Sequence, residues 1–195
     1  MTLVSDAMLF AARAHDGMLR KGTGIPYILH PGEVAAIAAT LTDDQEILAA
    51  ALLHDVMEDC GVGEKELAER FGSRVAQLVR SETQERGGDP GETWLSRKQG
   101  AVMRIAQGDR AVKIIALSDK LSNMRAIHRD YDRHGERLFF RFHQHDKALH
   151  AWYYRSIAAL LEGELGNTDA WCELSEHIAY VFADVPSGMQ PSDEA

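Results

Sequence analysis

The sequence predicts an all-α fold of about nine helices in a single compact domain, and three observations carry that expectation. Apolar residues recur at helical spacing in nearly every segment, and no stretch shows the period-two alternation of a half-buried strand. A chain of 195 residues, 45% hydrophobic and 26% charged, has the composition of one ordinary globular domain. No proline- or glycine-rich linker divides it, so residues 1–185 are expected to form the domain and 186–195 a disordered tail.

Leu3 to His15 opens the chain with Val4, Ala7, Met8, Ala11 and Ala12 on one helical face. Asp16 to Tyr27 contains three glycines and Pro26 and reads as a loop. Pro31 suits the first turn of a helix running to about Leu41, because its missing N–H has no intrahelical partner there. Thr42 and Gln45 have the spacing of a capping box, opening a helix from Asp43 to Asp59 that stops near Gly61. Two shorter helices, Glu64 to Phe71 and Ser73 to Thr83, are separated at Gly72. A glycine-rich loop follows at 86–91. Helices are then expected over Thr93 to Gln107 and Arg110 to His128, with Gly108-Asp109 between them. Residues 129–136 are polar and loop-like. A long helix covers Arg137 to Glu164, and a last one Asp169 to Ala183.

Composition excludes several classes of function. No apolar run approaches the ~20 residues of a membrane span, and the first residues have no basic region leading into an apolar one, so neither a membrane protein nor a signal peptide is expected. Two cysteines, Cys60 and Cys172, read as reduced thiols of a cytoplasmic protein. The net charge of −9 argues against a nucleic-acid partner. Its distribution is uneven: residues 1–60 hold three Lys/Arg against nine Asp/Glu, whereas 97–147 hold twelve against six. Folding these two segments together would bring carboxylates and cations to one place, as a metal site beside an anion pocket requires. Complementary charge on packed helices is the alternative.

The chemistry-bearing residues concentrate at the end of the third predicted helix, in His54-Asp55-Val56-Met57-Glu58-Asp59. His54 and Asp55 project ~100° apart and can reach one point between them, while Glu58 and Asp59 each lie one turn further on. The preceding Ala49 to Leu53 is apolar on every side, so three carboxylates and an imidazole end a buried helix, a costly arrangement without a compensating cation. His30 stands at a helix start, where a lone histidine is more often a cap or core residue than a ligand. Asp119 follows an apolar run, with Asn123 one turn on. Arg20 and Lys21 are two of the three cations in the first sixty residues and sit in a glycine-rich loop suited to phosphate.

Taken together, His30, His54-Asp55 and Asp119 have the order of the metal ligands in HD-domain phosphohydrolases. The match extends to the RelA/SpoT-type alarmone hydrolases. Ala14-His15-Asp16-Gly17-Met18-Leu19-Arg20-Lys21 with Pro26-Tyr27-Ile28-Leu29-His30-Pro31 resembles their opening motif. Ala50 to Asp59 resembles their "AALLHDxxED" segment, Phe71 to Val79 their "FGxxVxxLV", and Lys113 to Arg125 their "VKLADRLxNMR". The resemblance covers residues 7–126. It implies an HD-domain helical fold and removal of pyrophosphate from the ribose 3′ position of guanosine tetra- and pentaphosphate, with one Mn²⁺. By motif match His30, His54, Asp55 and Asp119 would be the ligands, a mixed N/O set that chemistry alone also allows for Fe²⁺ or Zn²⁺. Glu58 and Asp59 would position and deprotonate the attacking water. Arg20 and Lys21 would hold the pyrophosphate and Asn123 the nucleotide, with Tyr27, Thr83 and Arg125 as further pocket residues. Ala126 stands where the long members have Thr, and Ser118 where they have Ala. The Arg/His-rich segment 129–150 has no counterpart in the pattern, and its histidines leave a second metal or a partner-facing helix open. The chain's end at Ala195, before any synthetase region, resembles the stand-alone small hydrolases. Two other readings remain open at this point: an HD phosphohydrolase of another nucleotide, such as the 2′-phosphate of NADPH, and a metal-bound nucleotide sensor without turnover.

Overall fold

The computed structural model describes residues 2–83 and 94–188. Among them there are ten α-helices, one 3₁₀ helix and no strand, in line with the expected all-α class. One apolar cluster runs from Ala7 to Val185, so all the helices share a core. The predicted loop at 86–91 lies outside the described residues, as do 189–195 of the predicted tail. Of the remainder of that tail, the Pro186 carbonyl accepts a hydrogen bond from Arg155 (3.0 Å).

α1 (Leu3–Ala14) begins at Thr2, whose Oγ1 accepts from Ser5 N, and buries Ala7 and Ala11. The loop after it folds as a narrow hairpin, with Tyr27 N donating to Met18 O (2.8 Å) and Arg20 N to Ile25 O (2.8 Å). Gly22 turns the hairpin at φ +72°, in the left-handed region that favours glycine. α2 (Leu29–Ala38) starts two residues before Pro31, which still lies in the first turn.

α3 (Gln45–Leu53) and α4 (Val56–Cys60) replace the single helix expected over 43–59. The cap also differs: Asp44, not Thr42, receives the N-terminal N–H, from Glu46 at 2.9 Å. The helix breaks because the His54 ring folds back and Nδ1 donates to the Ala51 carbonyl (2.9 Å), occupying the acceptor the next turn needs. Asp55 then starts a new helix, ended by Gly61 at φ +68°.

α5 (Glu64–Phe71) and α6 (Ser73–Glu82) are amphipathic, each burying one face. α7 (Trp94–Gln107) leads to α8 (Arg110–His134), whose N-cap Asp109 accepts from Val112 N (3.1 Å). α8 runs six residues past the expected end. Its polar last turns keep a packed side, with Ile127 buried and Tyr131 half-buried against the core. Gly135 (φ +56°) stops it and opens the 3₁₀ helix Gly135–Arg141, which buries Leu138 and Phe139. The long helix expected from Arg137 therefore begins only at Asp146, the N-cap of α9 (Lys147–Leu165). α10 (Asp169–Val181) closes the described chain.

α3 and α8 are the inner helices. α3 packs on α1, α2, α6 and α8, and α8 packs on α2, α9, α10 and the 3₁₀ helix. Ala49 to Leu53 and Ile115 to Leu117 are fully buried, so the polar residues that follow on each helix are held by rigid, solvent-excluded segments.

Candidate active site

Four side chains from α2, the α3–α4 break and α8 converge. His30 Nε2 lies 3.1 Å from Asp119 Oδ1 and 3.7 Å from Asp55 Oδ2. His54 Nε2 lies 2.9 Å from Asp55 Oδ2 and 3.7 Å from Asp119 Oδ1. Ligands ~2.0–2.3 Å from a common ion stand about 3–3.7 Å from one another, which is the spacing seen here. One ligand atom each from His30, His54 and Asp55 lies within 4.8 Å of the others.

The outer faces of both imidazoles show which nitrogen points inward. His54 Nδ1 is occupied by the Ala51 carbonyl. His30 Nδ1 lies 2.9 Å from Ser122 Oγ, whose own proton goes to Glu33 Oε2 (2.7 Å), so the hydroxyl accepts from Nδ1–H. Both Nε2 atoms therefore turn lone pairs toward carboxylate oxygens. His54 Nε2 is buried and, among the described residues, has no hydrogen-bond partner, although Asp55 Oδ2 lies 2.9 Å away. Lone pairs facing carboxylates in a buried cluster repel unless a proton or a cation lies between them. Burial opposes charge on His54, but Asp55 and Asp119 outweigh it and raise its pKa to about 9, whereas burial dominates at His30 and lowers it. The donor set thus fits a divalent cation, with His54 taking a proton in its place otherwise.

Further contacts orient the carboxylates. Tyr27 OH donates to Asp55 Oδ2 (2.6 Å), and burial with the nearby Asp55 charge pushes the phenol pKa far up, so Tyr27 stays a donor. Asn123 Nδ2 donates to Asp119 Oδ1 (2.6 Å), while its Oδ1 accepts from Arg20 NH2 (3.1 Å). Lys120 is buried and pairs with Asp119 Oδ2.

Two cavities adjoin this cluster. The smaller, of about 270 Å³, is lined by the converging side chains His30, Asp55 and Asp119, by Glu58 and Asp59 of α4, and by Arg20, Lys98 and Lys120. The larger, of about 390 Å³, lies beyond Arg20 and Asn123 and is lined by Lys21, Glu33, Ala126, Asp130, Leu138, Arg141 and Phe142 among others. Arg20, Tyr27, His30, Asn123 and Tyr154 line both.

The structure thus brings ten of the twelve sequence-predicted site residues to one place: His30, His54, Asp55, Asp119, Glu58, Asp59, Arg20, Lys21, Tyr27 and Asn123. Two lie elsewhere. Thr83 ends α6, gives its hydroxyl to Val79 O (2.9 Å) and lines a separate cavity between α6 and α7. Arg125 lines neither cavity of the site; it grips Glu173 with Nε and NH2 (2.6 and 2.7 Å) and Glu33 with NH1 (3.1 Å). Sequence reasoning missed Lys98, Lys120, Tyr153 and Tyr154, which line the smaller cavity. For Lys120 the signal was its place directly after Asp119. The others come from α7 and α9, where no motif marked them. The segment after 128 is also part of the site: it supplies one wall of the larger cavity.

Comparisons with known proteins agree with this geometry. A guanosine-3′,5′-bis(diphosphate) 3′-pyrophosphohydrolase of Vibrio cholerae is 40% identical over 120 residues, which cover 60% of this chain and 17% of that protein. A GTP pyrophosphokinase of Myxococcus xanthus is 34% identical over 133 residues, 65% of this chain and 17% of that one. The chain thus spans less than a fifth of the length of these relatives. Among solved structures, a metazoan ortholog of SpoT that hydrolyzes ppGpp and plays a role in starvation responses superposes with a TM-score of 0.73. It is 25% identical and matches over 94% of this chain and 96% of that one. A Listeria monocytogenes structure gives a TM-score of 0.70 at 26% identity, over 83% of this chain and 98% of that one. The HD-domain profile matches residues 7–143, a stretch that takes in all four converging side chains, and the chain belongs to the HD-domain family.

Proposed function

We propose that this chain is a Mn²⁺-dependent 3′-pyrophosphohydrolase of guanosine 3′,5′-bis(diphosphate) and the corresponding pentaphosphate, leaving GDP or GTP. The observation that carries the reading is the buried pair of inward-facing Nε2 atoms beside Asp55 and Asp119, opening on a cavity lined by Arg20, Lys98 and Lys120. His30, His54, Asp55 and Asp119 would hold the ion, which when bound offsets phosphate charge and makes a coordinated water more acidic. The names of the pyrophosphohydrolase relatives and of the SpoT ortholog support the same substrate.

The chain's own residues account for the remaining work. Arg20, pinned by Asn123 and placed 5.8 Å from the Tyr27 ring centroid, stands between the two cavities and binds the 3′-diphosphate. Lys98 and Lys120, which line the same cavity, meet the same phosphates. Glu58 and Asp59, on the short helix that the break at His54 creates, take the proton of the attacking water. Water adds to the 3′-linked phosphorus, the bond from phosphorus to O3′ breaks, and a proton passes to O3′ as pyrophosphate departs. The larger cavity, with apolar Leu138 and Phe142, takes the nucleoside.

The test is incubation with Mn²⁺ and either guanosine 3′,5′-bis(diphosphate) or NADPH, followed by anion-exchange separation. GDP and pyrophosphate should form only with the metal present. Release of 2′-phosphate from NADPH with the guanosine compound untouched would assign a different substrate. Binding without turnover of either would leave a nucleotide sensor.

A further inference from the structure

We infer that Asp130 and Arg141 select guanine at this site, an inference that rests on the proposed nucleotide reading and adds to it the residues that read the base. Asp119, Asn123, Ile127 and Asp130 recur along α8 at helical spacing; Asp119 lines the smaller cavity, Asn123 both, and Ile127 and Asp130 the larger. Eleven residues at ~1.5 Å rise place Asp130 about 16 Å along the axis from Asp119. That is the span from a diphosphate held near Asp119, across a ribose, to the far edge of a purine.

The chemistry at this end of the cavity is specific. Two carboxylates line it, Glu33 and Asp130. Both oxygens of Glu33 are taken, Oε1 by Arg125 and Oε2 by Ser122. Asp130 accepts only from Arg141 NH1, at Oδ2 (3.2 Å), which leaves Oδ1 without a hydrogen bond from any described residue. Guanine presents two adjacent donors, N1–H and N2–H₂, beside the O6 acceptor; adenine presents one donor and one acceptor. A carboxylate next to a guanidinium matches the guanine edge: the free Oδ1 of Asp130, with two lone pairs, accepts from N1–H and N2–H, and Arg141 donates to O6. Against adenine the same carboxylate meets the N1 lone pair. Gly22, at the turn of the hairpin, leaves room for Arg141 from the other side: a Cβ there would come within 3.2 Å of its Cδ. The phosphate-binding hairpin and the base-reading pair are therefore packed together.

The experiment compares the wild-type chain, Asp130→Asn and Arg141→Ala with Mn²⁺ on the guanosine and adenosine 3′,5′-bis(diphosphates), measuring kcat/KM and equilibrium binding of both. Wild type should prefer guanosine. Asp130→Asn is isosteric and complements adenine, so it should lower the guanosine-to-adenosine ratio at least about tenfold, mainly through KM. A purely structural ion pair between α8 and the 3₁₀ helix would affect both nucleotides alike and leave the ratio unchanged, and that result overturns the inference while leaving the hydrolase reading intact. If wild type turns over neither nucleotide but binds the guanosine compound through Asp130, the base assignment holds and the hydrolase reading falls. If it binds neither, both fall.

Discussion

His54 stands at the break between α3 and α4. Its Nδ1 takes the Ala51 carbonyl, and this one hydrogen bond both breaks the helix and turns Nε2 toward Asp55 and Asp119. The break places Glu58 and Asp59 on a separate short helix that faces the smaller cavity. If these two handle the proton of the attacking water, Glu58→Gln and Asp59→Asn should each lower kcat at least ~100-fold while Mn²⁺ still binds. Single-turnover pyrophosphate release at saturating Mn²⁺ decides this, and turnover within a few-fold of wild type contradicts the assignment. A second carboxyl nearby behaves differently. Burial raises the Glu82 pKa from 4.5 to about 7, with Lys120 opposing and Asp119 reinforcing, and its Oε1 has no hydrogen-bond partner. A raised carboxyl pKa means the fold favours the neutral form. Its contribution to stability is full below about 4.5 and is lost as pH rises through about 7. Glu82→Gln removes the ionisation and should raise Tm at pH 8 but not at pH 5. About 1 kcal/mol moves the midpoint by ~2–4 °C at this chain length. Thermal melts at the two pH values check the sign, and an equal change at both contradicts it.

At the scale of elements, α8 is the spine of the site. It supplies Asp119 to the cluster, Asn123 to Arg20, Ser122 to His30, Arg125 to two carboxylates and Asp130 to the far wall. Arg125 belongs to a chain of contacts running Glu173, Arg125, Glu33, Ser122, His30. Through that chain Arg125 reaches the outer face of His30, one of the proposed metal ligands, whereas Arg20 lines the cavity. Arg20→Ala should raise KM about tenfold or more with metal affinity little changed. Arg125→Ala should leave KM within about twofold and weaken Mn²⁺ binding, toward the 10–100-fold typical of residues that orient metal ligands. Steady-state kinetics with a parallel metal titration separate the two. A KM effect of Arg125→Ala equal to that of Arg20→Ala would place Arg125 on the substrate instead. Much of this was legible in the sequence. The order His30, His54-Asp55, Asp119 and the apolar runs before His54 and Asp119 marked the cluster, because buried helices announce themselves by composition. The helix break at His54 was not legible, since it depends on a side chain competing for a backbone carbonyl. Nor was the extension of α8 through His134: residues 129–134 look like a polar loop until Tyr131 packs on the core and Asp130 meets Arg141. The walls from α7 and α9 were invisible for the same reason, because tertiary packing alone brings Lys98 and Tyr153 to the cavity that Asp119 lines.

For the molecule as a whole, the uneven charge resolves into the site. The acidic first third supplies Asp55, Glu58 and Asp59, and the basic later segment supplies Lys98, Lys120 and Arg141 around the same two cavities. One apolar core joins the two regions. The central claim is that His30, His54, Asp55 and Asp119 form a divalent metal centre. Calorimetric titration of the metal-free protein with Mn²⁺, repeated in buffers of different ionisation enthalpy, tests it most directly. The wild-type chain should bind one Mn²⁺ at pH 7 and release about one proton, since His54, with its pKa raised to about 9, is protonated without the ion and must be neutral to ligate it. Asp119→Ala should stay folded and lose the binding. No binding heat in the wild type, or an unchanged titration in Asp119→Ala, would contradict the account.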